Sequence, residues 1–495
     1  MTETKQPQIE QLIIHEIPHN SGFLVYSLVM MVLLSISVLL PLLPNDFWPY
    51  LRIGEEILKN RSIPTTEFMT YTQFGHPAVY LFWLPSLIFL GLYNLGGILL
   101  IEIISALCIG GFYTFLWLAM RELRANPLIA GIILFITALI GVNDWSTRPQ
   151  IFTLPLFGLA LLLVIKWQKL DNRFLWLLPV ISMIWANFHA SFIVLFFILI
   201  PALLIGKGNR KRLLLITLFS LFSTLINPYG IGLWSNLFAM VHNTSIINFS
   251  LEWQPPTNSG WQANLFFGIL LLIPVLTAFS KPRIYLLYWI WFLGFGWMAL
   301  SAVRYIAWFL PFEAILLIML LNPIISRSQK RFNFFTNRKI NLVIGIALLL
   351  LPISLLPGIR GLWWNQAPPL YNERTPVNAT NWLKQNSQLP GELWSDFSYS
   401  TYLTYALPER KLFMTNRFED FPAQQLSDNR RIDEATYDWQ TILDKYKVNL
   451  IMASTTSEPN LIQAALSSPN WREVYRDDQT VIFIRNIRVG YEPIV

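Results

Sequence analysis

One cysteine, five histidines and only 13% charged residues leave several kinds of chemistry without their side chains. Cys108 alone excludes an internal disulfide framework and a cysteine-built zinc site. The histidines are scattered and show no metal-ligand spacing such as H–E–x–x–H. No G–x–G–x–x–G follows a strand-like run, so there is no dinucleotide fingerprint. Internal repeats and low-complexity tracts are also missing. What the chain has is apolar surface: 54% hydrophobic and 15% aromatic residues, which a soluble globular protein does not carry with so little charge. Mean hydropathy is +0.46, and apolar runs near bilayer length recur, so the sequence reads as a polytopic membrane protein. The net charge of +7 lies in short loops between those runs and points to membrane orientation, with no nucleic acid implied.

The first apolar run, Gly22 to Leu43, lacks an A–x–A-like cleavage site and is read as a retained span, not a signal peptide. A long apolar region follows from Leu81 to Met120. Five basic clusters arbitrate the topology: Arg121 and Arg124; Lys166, Lys169 and Arg173; Lys207 and Arg210 to Arg212; Lys281 and Arg283; and Arg327 to Lys339. All five share one side only if Leu81–Leu95 lies in the interface and Gly96–Met120 is a single span. Further spans then fall near 127–143, 150–167, 174–189, 190–206, 213–227, 263–280, 284–301, 304–322 and 340–357, for a total of about 11. This puts the chain in the cell (inner) membrane, with the N-terminus cytoplasmic and the C-terminal domain extracytoplasmic.

From Gly358 the composition becomes that of a soluble domain. The expected division is a transmembrane domain over 1–357, with an outer loop at 44–80, and an α/β domain over 358–495. Helices are predicted at 375–386 (Thr375 as N-cap, Pro376 at the first position), 398–406, 439–446 and 460–466. Strands are predicted at 391–397, 411–415 and 448–454, and a terminal hairpin, 471–475 with 480–485, turns at Asp477-Asp478. The fold class is mainly α: a helical membrane domain carrying an α/β domain on its outer face.

This topology collects Asp46, Asp144, Arg148, Asn187, His189, Asn227, His242, Glu252 and Arg304 at the outer ends of spans, with Glu102 starting the second span on the same side. Ionisable groups near bilayer depth face water-filled cavities and carry function. Each also has an ordinary reading. Arg148 and Arg304 can snorkel and pair with Asp144 or Glu313. His189 can be a satisfied polar residue at a hairpin turn, and Asn227-Pro228-Tyr229-Gly230 a helix stop. Glu252-Trp253 is either a second acid or an interface anchor. Asp46, flanked by Phe47 and Trp48, opens the first outer loop, and Tyr50, Ile53 and Ile57 then mark one face of an amphipathic helix.

Asp46, Trp48, Leu51 and Gly54 form a D–x–W–x–x–L–x–x–G start, followed by Arg148-Pro149-Gln150, by Asn187 with His189, and by Asn227-Pro228-Tyr229-Gly230. In these features the chain resembles bacterial membrane glycosyltransferases of the GT-C class, whose first outer loop carries the essential acid. One departure stands out: the family pattern has a polar pair such as His-Glu before Trp83-Leu84, and this chain has Leu81-Phe82. The resemblance implies transfer of a sugar from a polyprenyl-phosphate carrier to a glycan, lipid or protein acceptor at the extracytoplasmic face. It makes Asp46 the catalytic base. Arg148, His189 and Arg304 would bind the donor phosphate. Asp144, Glu252 and Glu102 are candidate second acids, and Asp46 with Asp144 or Glu252 is a candidate site for a divalent metal such as Mg or Mn. The alternative is a non-catalytic membrane scaffold whose α/β domain binds a partner. A transporter is opposed by the lack of inverted repeats and matched broken helices.

Overall fold

Polar backbone cannot be left unpaired in lipid, so apolar runs of bilayer length close their hydrogen bonds within helices. The computed structural model describes residues 19–43, 47–280, 283–326, 337–372 and 374–486. Among these the membrane part runs through α1 (His19–Leu39), α2 (Trp48–Asn60), α3 (Trp83–Glu122), α4 (Pro127–Gly141), α5 (Thr153–Gln168), α6 (Leu177–Phe188) and α7 (Ile193–Ile205). It continues with α8 (Arg210–Ser223), α9 (Gly232–Val241), α10 (Thr244–Phe249), α11 (Trp261–Ser280), α12 (Leu286–Ser301), α13 (Ile306–Ser326) and α14 (Arg338–Leu350). Seven helical stretches among the described residues are long and apolar enough to cross a membrane, and α6, α7, α9 and α12 are shorter apolar helices. The protein is a multi-pass membrane protein. Each of the eleven expected spans coincides with a helix, though fewer reach full span length. The short helix α9 lies where a plain loop was expected.

Helix α3 is one 40-residue element interrupted at Gly96 and Gly97. Gly97 has φ 58° and ψ −152°, a conformation that a side chain would not tolerate, so the pair breaks the helix where the charge argument required a break. Asn126, Asn209 and Asn337 cap α4, α8 and α14 through their side-chain oxygens. Among the described residues, the basic groups of the first three clusters gather at one end of the bundle. Lys166 pairs with Glu122, Lys207 Nζ lies over the Tyr285 ring, and Asn322 donates to the Arg124 carbonyl. Residues 148, 189, 252 and 304 lie at the opposite ends of α5, α7 and α13.

The loop between α1 and α3 contains α2, which is buried on two sides. Trp48, Leu51 and Gly54 face inward, while Ile53 and Ile57 pack with Met69, Ala78 and Tyr80. Gly54 is required by contact: a Cβ there would stand 2.6 Å from the Ser86 carbonyl oxygen on α3.

The C-terminal domain contains α15 (Val377–Gln385), α16 (Phe397–Ala406), α17 (Ala423–Asp433), α18 (Trp439–Lys445) and α19 (Pro459–Leu466). These cover a sheet of β1 (Glu392–Ser395), β2 (Val448–Ser454), β3 (Trp471–Arg476) and β4 (Thr480–Arg485) in the order β1-β2-β4-β3. β1 and β2 are parallel, and β4 is antiparallel to both β2 and β3. Three local expectations need correction. Residues 411–415 are no regular strand: Leu412 makes single bridges to Leu393 on one side and Thr70 on the other. Thr375 does not cap α15, which starts after Pro376 without a side-chain cap. Helix α17 went unforeseen because only Leu426 and Ile432 supply apolar buried surface, the rest of its inner face being Gln425, Asp428 and Asn429.

Through Leu412 the loop between α2 and α3 extends the sheet of the distant domain. Tyr71 N–H donates to the Leu412 carbonyl and Leu412 N–H to the Met69 carbonyl, at 3.0 and 3.1 Å. Thr72 Oγ1 donates to the Phe413 carbonyl. Arg417, 7% exposed, pairs with Asp420 at 2.6 Å, donates to the Val79 carbonyl and lies over the Tyr80 ring at 4.2 Å.

Gly54→Val should lower the thermal unfolding midpoint in detergent, because overpacking of this kind costs about 1–3 kcal/mol. An unchanged midpoint would mean that α2 does not pack on α3 as closely as the Ser86 contact indicates.

Candidate active site

Where the helix ends remote from the basic groups meet the α/β domain, a cavity of about 640 Å³ opens. Its membrane-side wall includes Tyr50, Phe82, Arg148, Gln150, His189 and Arg304, and the loop at 249–253 closes one flank. The α/β domain supplies the other wall through Asn416–Glu419 and through Asn429, Arg430 and Asp433 of α17.

Local sequence explains how the membrane-side groups are aimed. Pro149 starts a short 3-10 helix, Pro149–Phe152, which leaves Arg148 extended before it. Arg148 Nη1 donates to Glu252 Oε1 at 2.6 Å, and its Nε donates to Ser146 Oγ at 2.6 Å. Among the described residues its carboxylate partner is therefore Glu252, not the Asp144 or Glu313 weighed from sequence. Burial pushes the Glu252 carboxyl up, but Arg148 and Arg304 outweigh it and hold the group below its ordinary value. A depressed carboxylate keeps its pairing above its ordinary pKa and loses it as pH falls through the lowered value, so the pair persists at neutral pH.

Arg304 sits in a 3-10 turn, Val303–Tyr305, at the start of α13, with its guanidinium 4.5 Å above the Trp253 ring. Among the described residues no carboxylate lies within ion-pairing distance of it, and no hydrogen-bond acceptor engages it. His189 separates α6 from α7 with an extended backbone. Ser191 N–H donates to its Nδ1 at 3.0 Å, which leaves Nε2 as the donor of the neutral ring, and the ring stacks on Phe82 at 5.2 Å. Phe82 is one of the two apolar residues that stand where the resemblance led us to expect a polar pair.

Other sequence candidates are placed elsewhere. Asp144 acts electrostatically on Arg148, Glu252 and Arg304 but does not line the cavity. Glu102 is not brought to the site: it lies one turn past the α3 break, buried, with Arg360 as its nearby charge. Asn187 donates to the Ile226 carbonyl and ties α6 to the end of α8, while Asn227 Oδ1 accepts from Tyr229 N–H in the turn that stops α8. His242 reaches back to the Phe238 carbonyl and borders a smaller, apolar cavity. Asp46 lies outside the described residues. Arg417, Glu419, Arg430 and Asp433 were missed, although the charged run Arg417-Phe418-Glu419-Asp420 directly after a buried Phe413-Met414-Thr415 stretch was a usable signal.

Among the described residues no three His, Cys, Asp or Glu side chains are grouped to hold a metal ion. Glu252 is committed to Arg148.

A second cavity of about 350 Å³ adjoins the first between α7, α9, α12 and α13. Its walls are mostly apolar, including Val194, Phe197, Leu237 and Trp308. Gln150, His189, Met240, Trp253 and Arg304 line both spaces, so the two meet at the Arg304 guanidinium.

No protein-family model matches the chain, and no curated protein matches it by sequence. Solved structures do match it in shape. The Archaeoglobus fulgidus oligosaccharyltransferase, tethered with an acceptor peptide, superposes with a TM-score of 0.57 at 12% identity, over 94% of this chain and 74% of that one. Arabinofuranosyltransferase AftD from Mycobacteria gives 0.57 at 14% identity over 95% of this chain, which spans only 40% of that enzyme's length. ArnT from Cupriavidus metallidurans, solved with undecaprenyl phosphate, gives 0.48 at 14% identity over 94% and 98%. On the first two superpositions, the protein has the fold of the GT-C glycosyltransferases.

Proposed function

We propose that this protein is a membrane glycosyltransferase that moves a sugar from a polyprenyl-phosphate carrier to an acceptor at the extracytoplasmic face. The observation that carries the reading is the pairing of a cavity of mixed polar and apolar lining with an almost wholly apolar one, joined at an arginine without an ion-pair partner among the described residues. A lipid-linked phosphate has those three parts in that order: a sugar, an anion and a hydrocarbon tail. Arg304 meets the phosphate with a planar fork whose other face is already held by Trp253. His189 Nε2 donates beside it, and Arg148 adds positive potential that Glu252 partly offsets. Charge developing on the departing phosphate is then stabilised by groups fixed in advance. Asp46 takes the acceptor proton, a role that rests on its place at the start of the outer loop. A scaffold protein has no need of two cavities meeting at a cation.

The orientation follows from the basic end of the bundle. Lys166, Lys169, Lys207 and Arg210 to Arg212 lie at the end remote from the cavity, and the positive-inside rule assigns that end to the cytoplasm. Membrane-impermeant thiol labelling of intact cells should modify Tyr437→Cys, on the α/β domain, and not Lys211→Cys. The reverse pattern would move the cavity to the cytoplasmic side and end this reading.

Purified protein supplied with a panel of polyprenyl-phosphate sugars and glycan, lipid and peptide acceptors should transfer at least one of them. No transfer across the panel would favour the scaffold. In that assay Asp46→Asn should reduce the rate by about 100-fold or more, the scale for losing a general base, with expression unchanged. Undecaprenyl phosphate binding should weaken by about tenfold in Arg304→Lys, where a point charge replaces the fork, and less in Arg148→Lys, whose charge is shared with Glu252. An equal or larger effect at Arg148 would shift the phosphate site away from Arg304.

A further inference from the structure

Helix α17 brings Asn429, Arg430 and Asp433 to the wall of the larger cavity. Their geometry is set from the core of the α/β domain. Trp394 Nε1 donates to Asn429 Oδ1 at 2.9 Å, and Asn429 Nδ2 donates to Asp433 Oδ2 at 3.0 Å. The fully buried Trp394 thus fixes Asn429, and Asn429 fixes one oxygen of Asp433. The other oxygen, Oδ1, is shielded from solvent and has no hydrogen-bond partner among the described residues. Buried polar atoms are almost always partnered, so an unsatisfied carboxyl oxygen on a residue that lines the cavity points to a donor supplied by a bound ligand.

The surroundings say what kind of donor. Burial, helped by Asp396 and Glu434 and opposed by Arg430, pushes the Asp433 carboxyl up to about 8. Near neutral pH such a group holds its proton much of the time and offers both an acceptor and a donor. Asp396 directly follows β1 and Glu458 follows β2, both buried, with Asp396 capping Tyr399 N–H and Glu458 accepting from Ser454 N–H. These are the carboxyl ends of the two parallel strands, the edge at which open α/β sheets hold ligands. Among the described residues the carboxyls do not converge into a metal-holding group. A neutral ligand with adjacent hydroxyls matches this wall, and a cation does not.

We propose that Asp433, held by Asn429, is a sugar-binding residue that engages ring hydroxyls from the wall contributed by the α/β domain, while Arg304 takes the phosphate on the membrane side. The ligand class rests on the glycosyl-transfer reading above; the placement of the polar pair does not.

The full-length protein in detergent is examined by saturation-transfer NMR with D-glucose, D-galactose, D-mannose and L-arabinose, with undecaprenyl phosphate binding measured on the same samples. The wild type should bind at least one of the four sugars. Asp433→Ala should weaken that binding by about tenfold, the scale of losing a hydrogen bond to a polar group with partial charge. Asp433→Asn, which keeps an acceptor and a donor, should retain affinity to within about threefold. Undecaprenyl phosphate binding should be the same in all three. The proposal is overturned by a wild type that binds none of the sugars, by an Asp433→Ala protein with undiminished sugar affinity, or by loss of lipid and sugar together in that variant. A wild type that binds a sugar but not undecaprenyl phosphate would instead remove the polyprenyl donor from the proposed function and leave the sugar site standing.

Discussion

The hydrogen-bonded addition of residues 69–72 to the edge of the α/β sheet holds the two halves of this molecule in register. Leu412 is the shared rung: it bridges to Leu393 on the domain side and to Thr70 on the loop side. Backbone bonds of this kind are directional, so they fix the loop's position along the sheet as well as its proximity. Arg417 then bolts the far end of the loop through Asp420, the Val79 carbonyl and the Tyr80 ring. Removing one member of so buried a pair strands the other, at a cost of about 3–5 kcal/mol. A second clamp surrounds Trp48, whose ring contacts Tyr93 of α3, Tyr371 of the linker, and Tyr402 and Tyr405 of α16. Aromatic pairs add about 0.5–1.5 kcal/mol each beyond burial, so the cluster resists separation of the domains. These contacts hold the two walls of the larger cavity together.

Within that cavity the two membrane-side arginines differ in kind. Arg148 is anchored to Glu252 and to Ser146, and much of its charge is already answered. Arg304 is supported by an aromatic face, which attracts a cation without neutralising it. A guanidinium with no ion-pair partner among the described residues, set where a mixed and an apolar space meet, is costly unless an anion arrives there. Glu252 and Trp253 are neighbours in one 3-10 turn, Leu251–Trp253, so a single short segment holds one arginine by charge and the other by its ring. The α/β wall is the opposite case, a carboxyl lifted by burial facing the same space.

Much of the architecture was legible in the sequence because its cause is local. Apolar runs must become helices in lipid, and the distribution of lysine and arginine selected a break between Leu95 and Gly96, where Gly96 and Gly97 interrupt α3. The alternation of strands and helices after Gly358 marked the α/β domain, and Arg148, His189 and Glu252, separated by long stretches of chain, were gathered onto one side by topology alone. Where the local signal was weak, the reading failed. Helix α17 has a polar inner face that binds by hydrogen bonds, and 411–415 is extended only through bridges to partners on either side.

The motif residues divide along the same line. Trp48, Leu51 and Gly54, which carried the resemblance, turn out to be packing residues of α2, and the glycine is needed because α3 approaches too closely for a Cβ. The sequence by itself determined the membrane class, the helix positions and the side on which polar residues collect, since these depend on hydropathy and charge along the chain. Tertiary structure alone decided that Arg148 pairs with Glu252, that Arg304 stacks on Trp253, that Glu102 lies away from the cavity, and that Arg417 and Asp433 belong to its wall. Those facts depend on contacts between segments far apart in the chain, such as Thr72 with Phe413, 341 residues on, and no periodicity along a sequence encodes which distant segments will meet.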